Sequence, residues 1–165
     1  MGWLKRLVGS GSSDDQPSFD SLELGDEIWS NSQPWQVTAV LTYTNTEGEW
    51  PVVRIQQALT TAWVSIEEDQ PVRYDHLDLH VEPDGRTIWN GRTYERQEVG
   101  TATISRVVGD VDARPGDTLS YEVLRCAGDS RAWISVEVWA GGYVEVSVGR
   151  PWPIEKLVAK RGGRG

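Results

Sequence analysis

From residue 24 onward, apolar and polar residues alternate with a period of two rather than 3.6, the pattern of half-buried strands. Trp35, Val37, Ala39, Leu41 and Tyr43 alternate with Gln36, Thr38, Val40 and Thr42. Asn45-Thr46-Glu47-Gly48 predicts a turn. Val53 and Ile55 belong to the next strand, with Pro51 at its start, where a missing N–H does least harm. A strand over 62–67 follows. A second round begins near Pro83-Asp84-Gly85, where Ile88-Trp89-Asn90-Gly91-Arg92-Thr93-Tyr94 reads as a hairpin. Its Asn-Gly pair supplies the two positive-φ positions of a type I′ turn. Further strands are predicted over 99–108, 119–126, 132–139 and 143–148, with turns at 114–117, 127–129 and 140–142. Only 153–160 reads as a helix, with Ile154, Leu157 and Val158 on one side.

Two of these strands are nearly the same. Residues 62–67 read AWVSIE and residues 132–137 read AWISVE, 70 positions on. They differ only by Val/Ile exchanges, which keep shape and polarity. Ile28-Trp29-Ser30-Asn31 likewise echoes Ile88-Trp89-Asn90-Gly91, and Trp35 sits where Tyr94 sits. The pattern predicts an internal duplication. In each hexapeptide Ala, Val and Ile face one way and Trp, Ser and Glu the other. Bulk on both faces fits strands buried on both sides, or strands with one face shaping a site. The expected fold is all-β: two similar antiparallel β units, about 22–80 and 81–150, packed as a barrel-like or sandwich pair with pseudo-two-fold symmetry. A short C-terminal helix and basic tail follow over 151–165.

Residues 1–21 differ in kind. Gly9 to Ser18 is rich in Gly, Ser and Asp and reads as a flexible linker. Ahead of it, Trp3, Leu4, Leu7 and Val8 share one face of a short amphipathic segment beside Lys5 and Arg6. Such a segment is too short to hold a helix alone in water. It would order against a membrane surface, a partner or the body, or else remain a disordered start.

Composition narrows the classes. Hydrophobic residues make up 38% and charged residues 25%, which fits a globular protein. Nine Trp stand against one Phe. Net charge is −9, and residues 21–154 carry 21 acids against 10 arginines. An acidic body repels phosphate backbones, which argues against nucleic acid. One cysteine, Cys126, excludes an intrachain disulfide, and with no secretory signal peptide this points to a reducing cytosol.

The candidate chemistry is sparse. No Gly-rich phosphate loop, nucleophile elbow or CxxC is present, so no catalytic residue, metal or cofactor is assigned and an enzyme is not expected. Asp75, His76, Asp78 and His80 hold nitrogen and oxygen donors, but on a strand they read as a solvated edge. Cys126 reads as an inert buried thiol. Trp63, Glu67, Trp133 and Glu137 are the candidate binding residues. The Trp set offers platforms for a sugar ring or peptide, and each Glu shares a face with a Trp.

The order Gly25-Asp26, Trp35-x-Val37, Tyr43, Trp50 and Trp63…Glu67 resembles the bacterial family called domain of unknown function 4178. The likeness continues through Tyr94, Gly100-x-Ala102, Val108-Gly109, Gly116, Tyr121, Ser135-x-Glu137, Glu145 and Gly149. One departure is Pro51-Val52 after Trp50, where the family tends to have Glu-Tyr. The resemblance implies a cytoplasmic bacterial protein with no established activity, of a kind often encoded near membrane-stress proteins and polyamine aminopropyltransferases. The leading expectation is therefore a non-catalytic interaction or accessory module in a membrane-associated or stress-related system. It would have a protein partner and a peripheral contact with the inner membrane face through residues 1–8. The alternative is a β-rich binding protein for a small ligand or glycan, using a Trp-lined face.

Overall fold

A computed structural model describes residues 16–160, the Ser130 side chain excepted. The period-two alternation becomes eleven strands. They are β1 (Glu27–Ser30), β2 (Gln33–Asn45), β3 (Gly48–Gln57), β4 (Thr60–Glu67), β5 (Gln70–His76) and β6 (Arg86–Trp89). After them come β7 (Arg92–Gly109), β8 (Thr118–Cys126), β9 (Asp129–Trp139), β10 (Val144–Pro151) and β11 (Lys156–Val158). The helical content of the described residues is one short 3-10 turn, Phe19–Ser21. No helix there is long and apolar enough to cross a membrane.

Eight strands close into an antiparallel barrel in the order β2-β3-β4-β5-β10-β9-β8-β7. The ring shuts where β2 pairs with β7, from Ala39 opposite Gly109 to Thr44 opposite Thr103. Both seam strands are long and serve three neighbours each. The first part of β2 pairs with β1, and the first part of β7 with β6. Closure satisfies the backbone ladder that an open sheet would leave at its edges. An eight-stranded barrel is just wide enough for side chains, or for side chains and one small ligand.

The hexapeptides are β4 and the middle of β9, and both bury both faces. On β4, Ala62, Val64 and Ile66 point outward into a core with Ile28, Trp35 and Trp152. On β9, Ile134 and Val136 point outward into a separate core with Leu124, Val146 and Val148. The chain closes that second core with its own segment after β5, through Leu77, Leu79 and Val81. Val64 and Ile134 are fully buried, each worth about 1.5–3 kcal/mol relative to exposure. The alternate positions of both strands face into the barrel.

The turn chemistry follows the sequence at one hairpin and exceeds it at another. Asn90 and Gly91 have φ of 51° and 72°, as a type I′ turn requires. Glu68 and Asp69 adopt the same hand, with φ of 50° and 65°, and join β4 to β5. No Gly marks that turn, so the strand after it is not signalled by the sequence.

Two expectations are corrected. The helix expected over 153–160 is an extended segment containing β11, with Leu157 opposite Ile28. A run of eight residues that begins at Pro153 and follows Pro151 nucleates a helix poorly. The free edge of β1 offers a full ladder instead. Glu155 N–H donates to the Trp29 carbonyl, and the Glu155 carboxylate accepts from Ser32 N–H at 2.8 Å. The body also begins earlier than residue 22. Phe19 and Leu22 are buried in the same core as Ile28 and Trp152.

Candidate functional site

The inner faces of the strands do not fill the barrel. They leave a cavity of about 210 Å³, lined from β2, β3, β4, β5, β8, β9 and β10. Its polar groups come from the alternation itself. On β10, Val144, Val146 and Val148 take one face, and Glu145, Ser147 and Gly149 take the other. On β9, the same parity sends Ser135, Glu137 and Trp139 inward, and on β4 it sends Trp63, Ser65 and Glu67 inward.

Glu67 sits at the end of a hydrogen-bonded relay. The Trp133 indole N–H donates to the Tyr74 hydroxyl at 3.2 Å, and that hydroxyl donates to Glu67 Oε1. Ser65 Oγ donates to the same oxygen at 3.1 Å. Burial raises the Glu67 pKa, and the two hydroxyl donors pull it part of the way back. The relay depends on Gly149. A Cβ there would lie 2.6 Å from Tyr74 Cε1 and 2.7 Å from Trp133 Nε1. Only a residue without a side chain lets the two rings meet.

Glu137 is held differently. Its one hydroxyl partner, Tyr43, lies 3.3 Å from Oε1 and 3.4 Å from Oε2. Directly across the ladder stands a second acid, Glu145. Burial first, then repulsion from Glu145, pushes the Glu137 pKa up to about 7, and Glu67 adds a smaller repulsion. Burial also raises Glu145, which His76 partly offsets. Tyr43 and Tyr74 are raised well above the usual phenol value by burial and by these carboxylates, so both remain donors.

The site therefore has three carboxylates on aromatic walls, and no Lys or Arg lines it. Such a site can hold a small molecule through charge and hydrogen bonds. It also contains one carboxyl that changes its charge near neutral pH.

The structure brings three of the four candidate binding residues together. Trp63, Glu67 and Glu137 line the cavity. Trp133 is buried behind it and holds Tyr74. The docking residues Trp3, Leu4, Leu7 and Val8 lie outside the described residues. The His76 neighbourhood is parted: His76 ends β5 at the cavity, whereas His80 lies on the outer segment, exposed and 3.5 Å from Glu82. Among the described residues no three such donors stand where they could hold a metal ion. Cys126 is half-buried against the outer core of β9.

Sequence reasoning missed Tyr43, Tyr74, Tyr121, Glu145 and Trp139 as lining groups. A signal was present in β10, where Glu, Ser and Gly alternate with three Val. A strand whose second face carries a lone acid beside small residues is poorly explained as a solvated face when its neighbours are also two-sided.

The family described as Domain of unknown function (DUF4178) matches residues 23–153, which is the whole barrel. The chain belongs to the DUF4178 family. No curated protein and no solved structure matches it.

Proposed function

We propose that this DUF4178 protein is a binding protein that takes a small ligand inside its barrel. One observation carries the reading. A closed barrel spends its interior on three carboxylates and several hydroxyls around a cavity, where an all-apolar filling would be more stable. Buried charge with incomplete partners is costly, so its place at a convergent cavity favours a ligand role. The Trp-lined binding alternative thus takes a specific form, with the platform inside the barrel rather than on an open face.

A finer reading belongs beside it. The two hexapeptide strands take corresponding places in the strand order, and each sends Trp, Ser and Glu inward. Both observations support an origin by duplication, with the two units contributing one carboxylate arm each.

The test is a protein-observed NMR screen with a library of small fragments. Bound fragments are expected to shift the indole signals of Trp63 and Trp139 and to leave Trp29 and Trp152, on the outer side, unmoved. Ser147→Phe, which fills the cavity, should abolish those shifts while the fold persists by circular dichroism. Shifts confined to outer Trp signals, or undiminished binding in the filled variant, would overturn the proposal.

A further inference from the structure

The residues lining the cavity define the class of ligand as well as its place. Glu67, Glu137 and Glu145 supply up to three negative charges, and the other titratable lining groups are three tyrosines and His76. Arg125, a cation whose charge reaches Glu67, lies over the Trp133 ring at 4.8 Å and does not line the cavity. Three carboxylates alone would not make a site, but two polar groups beside them lack protein partners. The Tyr121 residue is 6% exposed and lines the cavity, and its hydroxyl, which keeps some contact with solvent, forms no hydrogen bond among the described residues. It is fitted deliberately close: a Cβ at Gly100 would fall 2.2 Å from that hydroxyl. The Trp139 indole nitrogen, also in the lining, is buried with no acceptor.

The carboxylates and the Tyr121 hydroxyl select a donor, whereas the Trp139 N–H asks for an acceptor on the uncharged part of the ligand. Unneutralised carboxylates facing Trp63 and Tyr43 favour a compact cation with N–H donors, which gains from both the charges and the ring faces. An anion would meet the three acids with only His76, beside Glu145, to offset them. A neutral apolar molecule would leave the carboxylates and the Tyr121 hydroxyl unpaired. We propose that the barrel cavity of this protein binds a small organic ammonium compound, with Glu137 and Glu145 as the charge-pairing groups and Tyr121 as a hydroxyl acceptor.

This inference rests on the reading of the cavity as a ligand site, and its test separates the two. Three probes of one shape and different charge are titrated into the full chain at pH 8: butylammonium, 1-butanol and butyrate. The readout is the Trp63 and Trp139 indole signals. A charge-assisted hydrogen bond contributes about 1.5–3 kcal/mol, so butylammonium should bind at least about ten-fold more tightly than butanol, with butyrate weakest. Glu137→Gln and Glu145→Gln should each erase much of that preference by weakening butylammonium binding. Both are isosteric, so a folding failure in one leaves the other to decide. Butanol or butyrate binding as well as butylammonium would overturn the ammonium class and leave the cavity reading standing. Failure of all three to move the lining signals would overturn both.

Discussion

Glu67 and Glu137 occupy the same place in two nearly identical strands, yet they meet different chemistry. Glu67 closes a hairpin opposite Gln70 and accepts from two hydroxyls. Glu137 lies mid-strand between Tyr121 on one side and Glu145 on the other, with one longer hydroxyl contact. The lesson is that a repeated hexapeptide sets which way a carboxylate points, while the neighbouring strands set what that carboxylate does. One arm of the cavity is built to stay in place. The other is built close to its point of ionisation.

The outer faces should behave alike, and this carries the largest expected effect. Ile66 and Ile134 are both buried outside the barrel, so Ile66→Ala and Ile134→Ala should each cost about 2–5 kcal/mol through lost burial and a residual cavity. Urea melts are the measurement. A loss in only one strand would break the likeness of the two outer cores.

The inner faces should differ. Tyr74→Phe leaves the buried Glu67 short of its main donor and should cost about 1–3 kcal/mol. Tyr43→Phe removes a longer contact and should cost less, about 0.5–1.5 kcal/mol. Equal costs in paired melts would erase the distinction between the arms.

Much of this architecture was legible in the alternation. β2, β3, β7, β8, β9 and β10 follow from it, as does the sharing of one face by Trp, Ser and Glu in each hexapeptide, though not which way that face points. Two things were not. β5 follows a turn made by Glu68 and Asp69, residues that only tertiary pairing holds at positive φ. β11 has an apolar spacing that suits a helix, and the open edge of β1 decides otherwise. The cavity itself was hidden for a further reason. Glu137 and Glu145 are eight residues apart in sequence, but their confrontation depends on the register of the β9–β10 hairpin. That register is a property of the turn and not of either residue.

The pH dependence sharpens the comparison further. Glu137 titrates near 7 when folded and near its ordinary value of 4.5 when unfolded. The folded state therefore binds more protons between those values, and this carboxyl makes stability fall as pH rises from about 4.5 to 7. The loss is complete above the folded value. Glu137→Gln should flatten that part of the profile in thermal melts from pH 4.5 to 8. An unchanged slope would mean that other groups produce it.

A smaller effect separates repulsion from burial. Glu145→Gln removes the second cause of the Glu137 shift and leaves the first. The Glu137 pKa should fall while remaining above the ordinary carboxyl value. No movement would mean that the two side chains diverge in solution.

The acidic cavity of the barrel is tested most directly by carbon-13 NMR titration of the glutamate side-chain carboxyls in the full chain. Glu137 should titrate near 7, apart from the exposed glutamates. A Glu137 titration among the ordinary carboxyls, near 4.5, would show the interior open to water and contradict the account.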